Sequence, residues 1–90
     1  MAQDLGKVLI VDDEQDILDL LSFNLVKEGF QVITSKNGED ALRAALRERP
    51  DLVVLDIMLP GFSGIEVLKR LKHLELTRKT PVMMLTAKNE

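Results

Sequence analysis

The sequence has no cysteine and only one histidine, His73. The first absence excludes disulfides and thiolate metal sites, and a lone imidazole flanked by Lys72 and Leu74 has no second soft ligand to share a metal with. Neither sign of charge is concentrated: twelve Lys and Arg against fifteen Asp and Glu give a net charge of −3. No continuous basic face is available for a phosphate backbone, so direct nucleic-acid contact by this segment is not expected. The apolar runs are too short to span a bilayer, and Met1 is followed by "AQDLGK" rather than by a basic and then apolar leader. A cytoplasmic protein without membrane contact is the resulting expectation. Repeats, low-complexity tracts and Gly/Ser linkers are also lacking, and ninety residues bound the chain to a single domain.

What is present is a globular balance, 46% hydrophobic and 30% charged, arranged in a regular alternation. Residues 7 to 11, rich in branched apolar side chains, read as a strand buried on both faces. From Glu14 to Glu28 the period becomes helical, with Ile17, Leu20, Leu21 and Leu25 as the expected buried stripe and Gly29 as the stop. "FQVITS" (30 to 35) reads as a second, less apolar strand nearer an edge. Asn37 then caps a helix that places Ala41, Leu42, Ala45 and Leu46 on one side and ends before Pro50. "DLVVLD" (51 to 56) is a third strand. After the breakers Pro60 and Gly61, Ser63 and Glu66 form an S-x-x-E capping box for a helix with Val67, Leu68, Leu71 and Leu74 inward. "PVMML" (81 to 85) is the last strand, and the methionines Met58, Met83 and Met84 read as packing residues.

Alternation of this kind implies an α/β fold with a parallel sheet. Right-handed crossovers with helices on both faces give the strand order 2-1-3-4. The C-terminal ends of the first and third strands are then neighbours at the switch point where open α/β sheets bind ligands. Both strands end on carboxylates, so Asp12, Asp13 and Asp56 should converge, with Thr86 facing the same crevice. Like charges brought together this way repel one another, and a hard divalent cation converts that repulsion into attraction to oxygen ligands. Magnesium suits the small number of protein oxygens better than calcium. A metal beside carboxylates also suits phosphoryl transfer to an aspartate nucleophile, giving an aspartyl phosphate.

"VLIVDDE", "LVVLDIMLPGFSG" and "MMLTA", together covering almost the whole chain, resemble the receiver domain of bacterial two-component response regulators. "DIMLPGFSG" and "MLTAK" look most like the subgroup joined to winged-helix DNA-binding domains. The resemblance implies a flavodoxin-like doubly wound sheet. The order 2-1-3-4-5 is the family's own, so it supports the derived order without being independent of it. It further implies that Asp56 is the phosphoacceptor and Asp13 a direct magnesium ligand. Asp12 matches the second acidic position, the Met58 backbone carbonyl the remaining protein ligand, and Thr86 the hydroxyl that contacts the phosphoryl group. A histidine kinase or phosphotransfer protein would be the donor, and the domain would be a self-phosphorylating signalling module rather than a turnover enzyme. Receivers also carry a fifth strand with a phosphoryl-contacting lysine and two further helices. Residues 1 to 90 are therefore expected to form a truncated receiver, in which Lys88 does not match that lysine.

Other readings compete. A haloacid-dehalogenase-like phosphatase would carry D-x-D after the first strand, which adjacent Asp12 and Asp13 do not fit, and a dinucleotide-binding enzyme would need G-x-G-x-x-G there. Asp13 could act only as a helix cap. The chain could also be a receiver fragment serving solely as a folding or assembly unit. With the second and third helices on one face, the first helix is left nearly alone on the other. Self-association through that uncovered face or through the strand-four edge is expected.

Overall fold

The computed structural model describes residues 4–85. Its elements are β1 (Lys7–Val11), α1 (Gln15–Glu28), β2 (Gln31–Ser35), α2 (Gly38–Glu48), β3 (Leu52–Asp56), α3 (Gly64–His73) and β4 (Val82–Leu85). All pairings are parallel and the order is β2-β1-β3-β4, as the alternation predicts. β1 is central because its side chains are apolar toward both faces: Val8, Leu9, Ile10 and Val11 are all fully buried.

The two faces have separate cores. Leu9, Val11, Val53 and Leu55 meet α2 and α3 through Ala41, Ala44, Ala45, Val67 and Leu71. Val8, Ile10 and Val54 meet α1 through Leu18, with Leu21, Leu25 and Phe30 packed around them. α2 lies close to the sheet because three alanines face it. On the α1 side, cover runs out toward β4: Leu52 and Leu85 are only partly buried and Met83 is 55% exposed.

Helix ends follow local chemistry. Asn37 Oδ1 accepts from the Asp40 N–H at 2.9 Å and Ser63 Oγ from the Glu66 N–H at 3.2 Å, so both expected caps form. The Glu66 carboxylate turns to Arg70 instead of completing the box. At the end of α1, Gly29 takes φ 109°, its N–H donates to the Val26 carbonyl and that of Phe30 to Leu25, a Schellman closure. The turn that delivers β4 is held from inside: the buried Thr77 hydroxyl donates to the Leu71 carbonyl at 2.7 Å, and Lys72 Nζ to the Thr80 carbonyl at 2.8 Å.

Three expectations about side chains are corrected. In α1 the inward stripe is Leu18, Leu21 and Leu25, while Leu20 is 59% exposed; at about 100° per residue it points some 160° away from Leu18. In α2 the buried side is Ala41, Ala44 and Ala45, and Leu46, about 140° round the helix from Ala41, is at the surface. Met84 packs against the core as expected, but Met58 and Met83 are exposed.

The β3–α3 connection is closed by the Gly64 N–H donating to the Ile57 carbonyl at 2.8 Å. A Cβ at Gly64 would stand 2.2 Å from the Asp56 carbonyl oxygen and 2.7 Å from Ile57 Cα, both backbone atoms. Gly64→Ala must therefore displace either α3 or the end of β3, and a loss of about 1–3 kcal/mol is expected, as for other overpacked sites. Urea unfolding of the two proteins measures it, and an unchanged midpoint would show that the loop yields freely.

Candidate functional site

The strands β1 and β3 run side by side in register, Val11 against Leu55, so the residues that follow them emerge together. Asp12 leaves β1 still attached to the sheet, its N–H donating to the Ser35 carbonyl at 3.0 Å. Its Oδ1 accepts the Glu14 N–H at 2.9 Å, an Asx turn that redirects the chain into α1. Asp56, the last residue of β3, uses the same device: Oδ1 accepts the Met58 N–H at 3.0 Å. Each strand thus ends in a carboxylate that ties down the loop after it.

These turns fix the carboxylates relative to the sheet. Asp12 is 5% exposed, Asp56 half-buried and Asp13 exposed, and one carboxylate oxygen from each lies within 4.8 Å of the others. The three acids singled out from the sequence are therefore brought together. Asp13 does not cap α1. Glu14 occupies the N-cap position and no side chain bonds there, which removes the purely structural reading of Asp13. Three negative groups this close repel, and nothing but oxygen is offered as a ligand. Such a donor set fits a hard cation of the magnesium type, which takes a few carboxylates and completes its shell with water or phosphate.

Met58 enters the site through its N–H on Asp56, with its side chain exposed. β4 is described to Leu85, which pairs with Asp56. Thr86 and Lys88 lie outside the described residues. His73 stands on α3, exposed as expected, with Nδ1 3.1 Å from the Lys69 carbonyl. Glu48 lies at the other end of the sheet. Hydrogen bonds from Arg47 and then Lys7 hold its carboxyl below the usual carboxylate range. Two positions were missed in the sequence. The Ser35 carbonyl anchors Asp12, and Gly64 packs against the Asp56 carbonyl. The "SG" at 63–64 carried a signal for the second, since a glycine directly after a cap residue is not needed for capping.

The comparisons agree with this geometry. Residues 8–90 match the family model described as the response regulator receiver domain. The alkaline phosphatase synthesis transcriptional regulatory protein PhoP of Bacillus subtilis (strain 168) is 52% identical over 84 residues, 93% of this chain and 34% of that protein. The chain thus spans about a third of the curated relative's length. Among solved structures, the N-terminal domain of a response regulator receiver protein from Methanoculleus marisnigri JR1 superposes with a TM-score of 0.90 at 43% identity, over 96% of this chain and 70% of that one. The Vibrio cholerae chemotaxis protein CheY4 gives 0.88 at 33% identity, over 94% and 71%. Among the described residues no helix is long and apolar enough to cross a membrane. With an acidic crevice between β1 and β3, the doubly wound order and a family match over nearly its whole length, the chain belongs to the response regulator receiver domains.

Proposed function

We propose that the chain accepts a phosphoryl group on Asp56 from a histidine kinase or phosphotransfer protein, as a cytoplasmic signalling module of the kind joined to winged-helix DNA-binding domains. The observation that carries this reading is the convergence of Asp12, Asp13 and Asp56 within 4.8 Å at the switch point of the sheet. Asp12, Asp13, Asp56 and the Met58 backbone carbonyl would hold magnesium. When bound, the cation supplies positive charge to the phosphoryl oxygens. Asp56 Oδ1 is engaged by the Met58 N–H, which orients the carboxylate and leaves Oδ2 to attack. A P–O bond forms at Oδ2 as the P–N bond of the phosphohistidine breaks, and the electron pair returns to the departing imidazole. Thr86 is assigned the contact to a transferred phosphoryl oxygen.

A second reading, a receiver fragment serving for folding or assembly without signalling, is favoured by one observation. The strip at Met83, Leu85 and Leu52 is incompletely covered, and with the β4 edge it offers a surface for association. Met83→Glu on this strip should abolish that route.

Two experiments test the phosphoacceptor reading. Thermal stability should rise with magnesium, by about 1.4 kcal/mol when the free cation reaches ten times its dissociation constant. Asp13→Ala should remove most of that gain, and a gain unaffected by the substitution would refute the ligand set. Incubation with acetyl phosphate and magnesium, followed by intact-mass spectrometry, should add one phosphoryl group, absent from Asp56→Asn. Label on Asp12 or Asp13 would reverse the assignment of roles.

A further inference from the structure

The two parts of the sequence on either side of Ser35 differ in the sign of their net charge. Residues 1–35 contain seven acidic and two basic side chains, residues 36–90 eight acidic and ten basic. Each part also presents an exposed apolar feature on its helices. On α1, directly opposite the stripe that packs on the sheet, Leu20, Phe23 and Val26 are 59%, 67% and 58% exposed. Asp16 and Asp19 stand at the N-terminal end of this ridge. Lys27 stands at the other end, its Nζ 5.8 Å from the Phe23 ring. Between α2 and α3 lies an open groove of about 510 Å³ floored by Leu42, Leu46 and Leu74. Along its α3 rim run Glu66, then Lys69, Arg70 and His73. Arg70 is held in place by Glu66 at 3.1 Å and by the Phe62 ring at 4.3 Å.

We infer that the α1 ridge of one copy docks into the α2–α3 groove of a second copy, antiparallel to α3. Charge decides the direction. In that sense Asp16 and Asp19 face Lys69 and His73 while Lys27 faces Glu66; the parallel sense would set Asp19 against Glu66 and Lys27 against the basic end. The spacings agree, because Asp19 to Lys27 spans about 12 Å of helix and Glu66 to His73 about 10.5 Å. Leu20 and Phe23 then fill the apolar floor, following the helix-in-groove mode with anchors at i and i+3. Ridge and groove lie on opposite faces of the sheet, so each contact leaves a free ridge at one end and a free groove at the other. The association is heterologous and grows head to tail. One helix in one groove buries less than a standard interface, which places the contact among the weak, transient ones, and its paired charges are exposed to salt.

This inference is independent of phosphoryl transfer and of association through the sheet face. It is therefore tested in the Met83→Glu background, where the sheet-face route is blocked. Sedimentation equilibrium of that chain from about 10 μM to 1 mM at low salt should show a weight-average mass climbing above the 10.1 kDa monomer. About 0.5 M salt should weaken the association several-fold. Phe23→Asp, which spoils the ridge, and Leu46→Glu, which spoils the groove, should each remain monomeric alone. Mixed one to one, they should form a dimer and nothing larger, since the mixture contains one intact ridge and one intact groove. Circular dichroism checks that each variant is folded. Should Leu46→Glu unfold, the exposed pair Lys69→Glu and His73→Glu takes its place in the mixture. A monomeric parent at 1 mM, association unaffected by salt, a single variant that associates like the parent, or a mixture without dimer would each overturn the assignment.

Discussion

The adjacency of β1 and β3 is the constraint on which the rest of the site depends. Apart from Lys7 and Asp56 both strands are apolar; β3 ends in Asp56 and β1 is followed directly by Asp12, so pairing them in register delivers two carboxylates to one place whatever the loops then do. β1 can pair on both sides only because Val8 to Val11 are buried on both faces, and that burial in turn requires helices above and below. The hydrophobic drive that builds the sheet offsets the electrostatic cost of gathering the acids. Asx turns at Asp12 and Asp56 reduce that cost by giving each carboxylate a backbone N–H. The same hydrogen bonds start the two loops, so site and connections are one construction.

Much of this was legible in the sequence because the signals are local and reinforce each other. The branched runs before Asp12 and Asp56, the caps Asn37 and Ser63 and the stop at Gly29 each act within a few residues, and each lies where it was expected. The convergence of the acids followed from the strand order, which right-handed crossovers give once helices must cover both faces of the sheet. What could not be read was rotation. The α1 sequence carries two apolar stripes, Leu18, Leu21 and Leu25 on one side and Leu20, Phe23 and Val26 on the other, and periodicity gives no preference between them. The choice is made by fit against Val8, Ile10 and Val54, a tertiary matter. Leu46 was misjudged for the same reason: α2 turns Ala41, Ala44 and Ala45 to the sheet, which carries Leu46 round to the surface. Gly64 is a third case, because its need for space arises from the Asp56 carbonyl across a loop.

The two helical layers are unequal in kind. Among the described residues α2 and α3 share a core with ten buried residues, whereas α1 rests on the sheet mainly through Leu18 and a set of half-buried neighbours. The molecule therefore has a firm side and a lighter one. The carboxylates emerge from the strand ends between the two layers, with Asp12 feeding α1 and Asp56 feeding the loop to α3. A change in the charge at this point acts on connections to both layers at once.

The in-register pairing of Val11 with Leu55 also bears on how the chain folds. Asp12 and Asp56 are distant in sequence and meet only when β3 has settled beside β1, so the acidic crevice does not exist in any species where the β1–α1–β2 unit stands alone. That local unit can form early, since its contacts are short in range, while closing the much longer loop to β3 carries the larger entropy cost. Repulsion among the acids is met at that same late step. Counter-ions that screen it, or a cation that bridges it, thereby act on the rate of the final docking as well as on the finished site.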